Sequence, residues 1–77
     1  MNNPTIYATV DLYLAAFLVA RGVKLVDTEK TNRRTTFLFG NSQEVKQLAK
    51  DFCNDEKVGA TTYKNALRDL KALIYNM

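Results

Sequence analysis

The sequence predicts an α+β fold, in which a small antiparallel sheet of two or three strands packs with three helices in the order β-α-β-β-α-α. Three observations lead to this prediction. An apolar segment closed by a glycine indicates a first helix, two β-branched and aromatic segments indicate a hairpin, and two later segments repeat apolar residues at helical spacing. With 77 residues, the chain is expected to form a single domain spanning 1–77.

The chain is expected to begin with a short strand and a helix. Residues 6–9 have the β-branched and aromatic content of a strand. The helix is predicted over residues 10–21, with Thr9 as its N-cap and Asp11 in its first turn, where the helix dipole favours a negative charge. Gly22 follows at the position where a left-handed residue ends a helix.

Residues 12–20 are apolar around the whole circumference of this first helix. Such a helix has to be buried on more than one side. Two arrangements satisfy this requirement: the helix lies between the sheet and the other two helices, or one side is covered by a second copy of the chain. In the second arrangement, Tyr13 or Phe17 forms the exposed edge that the partner covers.

The next two elements are predicted to form a hairpin. Strands are expected over residues 23–30 and 34–39, joined by a short linker in which Asn32 tolerates a positive φ. Phe37 and Phe39 lie two residues apart and therefore share one face, and we interpret them as core residues. Both faces of the hairpin carry apolar side chains, so the sequence leaves open which face points inward.

Two amphipathic helices are predicted after the hairpin. The second helix begins at one of two candidate caps, Asn41 or Ser42, and the third begins at Thr61 or Thr62. The apolar stripe of the second helix consists of Val45, Leu48, Ala49, Phe52 and Cys53. The stripe of the third consists of Tyr63, Ala66, Leu67, Leu70, Leu73, Ile74 and Met77. Cys53, placed in such a stripe, is expected to be an inert buried thiol.

Several short motifs resemble a known family. They are Thr9-x-Asp11-Leu12-Tyr13-Leu14-Ala15-Ala16 closed by Gly22, then Phe37-x-Phe39, Asp51-Phe52, Asn65-Ala66-Leu67-Arg68, Leu70-Lys71 and Leu73-Ile74-Tyr75. The chain resembles, over residues 7–76, a family of short prokaryotic and phage-associated single-domain proteins of unknown function. The resemblance implies a bacterial or phage origin and a cytoplasmic location, and it brings no activity, ligand or catalytic residue.

The net charge of +3 arises from two basic clusters. At about 100° per residue, four residues of the third helix fall within an arc of about 60° beside its apolar stripe. These are Lys64, Arg68, Lys71 and Tyr75. Cations in a row neutralise phosphates and an aromatic ring stacks on an unpaired base, so the row is a candidate nucleic-acid surface. The alternative is an ordinary solvated flank, whose long side chains lie along the edge of the core.

The second basic cluster lies at the tip of the hairpin, and it contains Lys30, Arg33 and Arg34. These side chains are suited to holding phosphates, as in β-ribbon proteins, although charges on edge strands and turns also prevent aggregation. We expect Asp27 and Glu29 to offset part of their field. The sequence leaves open whether this cluster and the third helix share one face.

The composition disfavours catalysis. The chain has no histidine, a single cysteine and three isolated glycines, so neither a metal site nor a phosphate-binding loop is expected. Asp27 and Glu29 lack the further acidic residues of a two-metal site. We therefore predict no enzymatic activity, no cofactor and no small-molecule substrate. The longest apolar run has nine residues and the N-terminal segment carries no positive charge, so no membrane span and no signal peptide are expected.

Two functions follow from these features. The first is binding of nucleic acid, with little sequence specificity, through the two basic clusters. The second is a protein-interaction module that uses apolar surface on the first helix, as a homodimeric adaptor or as a phage-encoded inhibitor of a host protein.

Overall fold

The computed structural model describes residues 6–40, 42–54 and 59–75, and it confirms the predicted α+β class and the order of the elements. The elements are β1 (Tyr7–Thr9), α1 (Leu12–Ala20), β2 (Leu25–Thr31), β3 (Arg34–Phe39), α2 (Ser42–Cys53) and α3 (Ala60–Tyr75). In the sheet, β3 lies in the centre and pairs antiparallel with β1 on one side and with β2 on the other.

Asp11, and not Thr9, is the N-cap of α1, so the predicted cap is wrong by two residues. Asp11 has an extended backbone, and its Oδ1 accepts hydrogen bonds from the backbone N–H groups of Tyr13 and Leu14, at 2.9 and 3.2 Å. The Thr9 hydroxyl oxygen accepts one from the backbone N–H of Asp11, at 3.1 Å. Both residue types are good caps, but only Asp11 satisfies N–H groups of the first helical turn.

The C-terminus of α1 confirms the role predicted for Gly22. This glycine has a φ of +94°, and its N–H donates to the carbonyl of Val19. The N–H of Val23 reaches back to the carbonyl of Leu18, which completes a Schellman motif. Because Val23 takes part in this motif, β2 begins at Leu25, two residues after the predicted start.

The hairpin is confirmed, and the burial of its side chains shows which face points inward. Thr31 pairs with Arg34, so the loop has two residues, and Asn32 takes the expected positive φ, at 57°. Phe37 and Phe39 are fully buried, so the face that carries them is the one that the helices cover. The interpretation of both phenylalanines as core residues is therefore confirmed.

A β-bulge at Val26 changes the faces on which the residues of β2 lie. Leu25 pairs with Phe39, but the next partner of β3, Leu38, pairs with Asp27. A bulge inserts one unpaired residue, which shifts the alternation of all the side chains that follow it. Asp27 and Glu29 are thereby placed on the open face of the sheet.

α1 lies at the centre of the domain. Its five residues from Leu14 to Leu18 are buried, and it contacts α2, α3 and β1. The core is completed by Phe37, Phe39, Val45, Ala66 and Leu70. The first of the two predicted arrangements of this helix, between the sheet and the other helices, is therefore confirmed.

Both later helices are confirmed, but one residue at the edge of each apolar stripe is exposed. Cys53 is exposed, and the prediction of a buried thiol is wrong. It lies about 80° around the helix from the buried Val45, at the edge of the apolar stripe. Leu73 is also exposed, because it lies at one edge of the stripe of α3, about 60° from Leu70.

The ends of these helices also differ from the prediction. Ser42 is the first residue of α2, and α3 begins at Ala60, because the carbonyl of Gly59 already accepts the N–H of Tyr63. The predicted cap at Asn41 and the predicted apolar residue Met77 lie outside the described residues.

Candidate nucleic-acid interface

The basic row of α3 lies along one exposed flank of the helix. The helix buries Ala66 and Leu70 against α1, and this burial turns the row toward solvent. All four of its members are exposed, as expected for a binding surface and for a solvated flank alike; they are Lys64, Arg68, Lys71 and Tyr75. Tyr75 is the most open, with 80% of its surface exposed.

The charges of this row are only partly compensated. Arg68 forms an ion pair with Asp69 over 3.5 Å, between two side chains that are both more than two-thirds exposed. Exposed pairs of this kind contribute little to stability and are easily exchanged for another anion. Neither Lys64 nor Lys71 forms an ion pair with any residue that the structure describes.

The tip of the hairpin carries the second basic cluster, with all three members exposed: Lys30, Arg33 and Arg34. Lys30 pairs with Thr35 and therefore shares the helix-covered side of the sheet with Phe37. Asp27 and Glu29 pair with residues of the opposite, open face. The two carboxylates therefore project from the side of the sheet opposite to Lys30, which lessens their compensation of that lysine, whereas Arg34 shares the open face with them by alternation with Thr36.

A groove joins the hairpin tip to the last turn of α3. It has a volume of about 460 Å³. Its lining comes from the β1–α1 connection, α1, the hairpin and α3, and includes Val10, Leu12, Arg33, Arg34, Phe37 and Ile74. The two arginines form a cationic rim, and the aliphatic side chains form apolar walls. We call this feature the tip groove.

The tip groove reaches α3 through one residue, Ile74, which lies beside the C-terminal end of the basic row. Ile74 lines the groove, Tyr75 follows it directly, and Lys71 precedes it by three residues on the same side of the helix. Lys64 is ten residues before Ile74, about 15 Å along the helix axis. None of the four residues of the row lines the groove itself; Lys71 and Tyr75 are its neighbours along the helix, whereas Lys64 lies well away from it.

Arg33 and Arg34 also line a second depression, on the open side of the sheet. Its volume is about 660 Å³, and its remaining lining is polar, from Thr31, Asn32 and Thr36. Glu29 is paired with Thr36 at this position, so a carboxylate lies on the same face. This depression offers an anion less favourable surroundings than the tip groove.

The two candidate interface residues of α1 lie in different surroundings. Tyr13 is 56% exposed, whereas Phe17 is only 1% exposed, so the prediction of Phe17 at an exposed edge is wrong. The ring of Phe17 packs against Phe52 with centroids 5.2 Å apart, and the guanidinium of Arg21 lies 5.6 Å from its centroid. The ring is therefore enclosed within the domain.

The described residues do not assemble a metal-binding cluster. Within them, no three Cys, Asp or Glu side chains lie close enough together to hold a metal ion. No helix in this part of the chain is long and apolar enough to cross a membrane.

The tip groove itself was missed by sequence reasoning. Val10, Leu12 and Ile74 come from distant parts of the chain, and none of them belongs to a recognisable binding motif. The one available signal is Val10, an aliphatic residue placed directly before the cap Asp11. It is 51% exposed, although its type favours burial.

The fold and this groove define a small α+β domain with a cationic, partly apolar groove. The chain belongs to the family described as domain of unknown function DUF5659, whose model matches residues 4–76. This match confirms the expected membership in a small single-domain family without an established activity. Neither a curated protein nor a solved structure is significantly similar to the chain.

Proposed function

We propose that this protein binds nucleic acid through its phosphate backbone, with little sequence specificity. The observation that carries the proposal is the tip groove, where Arg33 and Arg34 of the hairpin line the same groove as Ile74 of α3, three residues beyond Lys71. Cations from two separate elements on one face match the spaced negative charges of a backbone better than either cluster alone. A cytoplasmic setting and a bacterial or phage origin belong to the same proposal.

The weak sequence specificity follows from the chemistry of the surface. Lysine and arginine contacts to phosphate fix the position of a protein on nucleic acid but carry no sequence information. Base edges are read by paired donors and acceptors, as in Asn or Gln side chains. Asn32 lies in the hairpin loop and Asn65 lies one position beyond Lys64, outside the groove lining, so neither is placed among its walls.

The test is the salt dependence of binding to a labelled oligonucleotide, measured by fluorescence anisotropy between about 50 and 200 mM salt. With three cations engaged, Arg33, Arg34 and Lys71, we expect a slope of log K against log salt of about −2 for a single strand. Replacing Lys64, Arg68 and Lys71 together by Glu, or Arg33 and Arg34 together by Glu, is expected to abolish measurable binding.

A matched control is available at the other end of the sheet. Lys24 is exposed and precedes β2, about 20 Å from the hairpin tip by strand length. We expect Lys71→Glu to weaken binding much more than Lys24→Glu, although both change the net charge equally. Binding that is insensitive to salt, or equal effects of the two variants, would overturn the proposal.

Self-association is a second candidate function, and the exposure of Tyr13 favours it. Tyr13 in the first turn of α1 and Val10 in the connection before it are each more than half exposed and lie three residues apart. Aromatic and aliphatic side chains with this exposure are typical of the centre of an interface between copies. We propose that a second copy covers them in a homodimer.

Light scattering tests this second function. A dimeric mass that falls to the monomer on Tyr13→Lys would support it, and Val26→Lys serves as the control. Val26 is equally exposed, at 57%, but it lies at the β-bulge. A monomeric mass for the natural chain, unchanged by Tyr13→Lys, would reject self-association.

A further inference from the structure

The tip groove has apolar lining residues that the binding of phosphate does not require. Its lining combines Arg33, Arg34 and Thr35 with four apolar side chains, which belong to Val10, Leu12, Phe37 and Ile74. Its volume of about 460 Å³ lies within the range of about 300 to 1,000 Å³ found for pockets that hold small organic ligands. A backbone phosphate uses the arginine rim and leaves these apolar walls in contact with water.

The complementary ligand is a flat, weakly polar group that carries a negative charge on either side. An unpaired base within a single strand has this form, because its faces are aromatic and a phosphate flanks it in each direction. In a duplex the bases are paired and stacked inside the helix, so only phosphates reach the groove. Complementarity of charge and of apolar surface therefore favours a single strand over a duplex.

Two side chains in or next to the groove have planar groups that can stack on a base. Tyr75 follows Ile74 at the end of α3, and with 80% of its surface exposed its ring is free to stack on a neighbouring base. Arg33 presents a planar guanidinium, and such groups stack on aromatic faces as well as bind phosphate. Of the two, Arg33 lines the groove and Tyr75 adjoins it through Ile74.

We propose that the tip groove holds an unpaired base of a single-stranded nucleic acid. The phosphates on either side of this base bind Arg33 and Arg34 in the groove and Lys71 next to it. The inference rests on the proposed nucleic-acid binding and adds the strandedness of the ligand and the location of one base.

The experiment compares three probes of equal length. They are an oligothymidylate of about 12 nucleotides, an abasic oligonucleotide with the same number of phosphates, and a duplex of the same length. Affinities are measured by fluorescence anisotropy at about 50 mM salt. We expect the oligothymidylate to bind at least about fivefold more tightly than the abasic strand, since stacking on one base is worth this much or more.

Substitutions distinguish the contribution of the base to binding from that of the phosphate backbone. Val10→Ser and Tyr75→Ala are expected to weaken binding of the oligothymidylate several-fold and to leave binding of the abasic strand unchanged. Lys71→Glu is expected to weaken binding of both probes. Val26→Ser, at an equally exposed valine on the β-bulge, is the matched control and is expected to change neither.

The failures of the two proposals are distinguishable. Equal, salt-sensitive binding of all three probes, or tighter binding of the duplex, would overturn the unpaired base and leave the proposed function standing. Absence of salt-sensitive binding to any probe would overturn both. Because Val10 and Tyr75 are more than half exposed, both variants are expected to fold, and circular dichroism of each variant checks this.

Discussion

The phenol hydroxyl of Tyr63 in α3 donates a hydrogen bond to the backbone carbonyl of Tyr13 in α1, over an oxygen–oxygen distance of 3.3 Å. This contact joins two helices across fifty residues of sequence. Burial raises the pKa of the Tyr63 phenol above its usual 10.0, and the negative charge of Asp11 adds to this effect. The neutral phenol is therefore the form that the fold stabilises.

Replacing Tyr63 by Phe removes the hydrogen bond and keeps the ring. We expect a loss of about 0.5 kcal/mol in the free energy of unfolding at neutral pH, as for a long and partly exposed hydrogen bond. The folded-state pKa is raised, so the contribution of Tyr63 is fully present below about pH 10.0 and is lost as the pH rises through the raised value. Urea unfolding of both proteins between about pH 8 and pH 11 measures the difference. A difference that stays constant over this range contradicts the expectation.

Asp11 caps the start of α1, and its negative charge also raises the pKa of Tyr63. Asp11→Ala is expected to lower the free energy of unfolding by about 1 kcal/mol, because the N–H groups of Tyr13 and Leu14 lose their acceptor. Asp11→Asn keeps an acceptor oxygen and is expected to cost only a few tenths of a kcal/mol, from the weaker interaction with the helix dipole. Both variants remove the charge near Tyr63, so both are expected to lower its pKa, as measured by ultraviolet titration. Equal destabilisation by the two substitutions would show that charge, and not capping, is the main contribution.

Local patterns predicted the elements of this fold well, because each pattern states a relation between near neighbours. The apolar circumference of residues 12–20 predicted a helix buried on more than one side, and Gly22 predicted its end. The cap was misplaced because Thr9 and Asp11 are both good caps, and propensity alone does not separate them. Cys53 was wrongly predicted to be buried, because the spacing of apolar residues does not define where the buried stripe of a helix ends.

The candidate site was less predictable, because its geometry depends on one inserted residue and on packing between distant segments. Strict alternation from Leu25 places Asp27 on the helix-covered face, but the bulge at Val26 moves it to the open face. The cations of the site were evident from the sequence. The meeting of Val10 and Ile74 in one groove was not, since about sixty residues separate them and no local pattern relates them.

Gly22 is expected to be sensitive to substitution through its backbone alone. A Cβ at this position would meet no atom within 4 Å, yet the φ of +94° is one that L residues rarely adopt. Gly22→Ala is therefore expected to lower the free energy of unfolding by about 1 kcal/mol. Gly59→Ala is the control, because its Cβ would make only an ordinary contact of 3.5 Å with the Thr62 hydroxyl and its φ lies outside the left-handed region. Urea unfolding that finds equal losses for both variants would argue against backbone strain at Gly22.

The exposure of Cys53 has a direct chemical consequence. It lies at the end of α2, and its thiol is open to solvent in the native state. We expect the natural chain to react with a thiol reagent such as dithiobisnitrobenzoate before any unfolding, at a rate close to that of the urea-unfolded chain, because no opening step has to come first. Cys53→Ala, which removes little packing at this margin of the stripe, is expected to change the free energy of unfolding by less than about 0.5 kcal/mol. A thiol that reacts only at the rate of global unfolding would mean that Cys53 belongs to the core after all, and a cost above about 2 kcal/mol for the alanine variant would indicate the same.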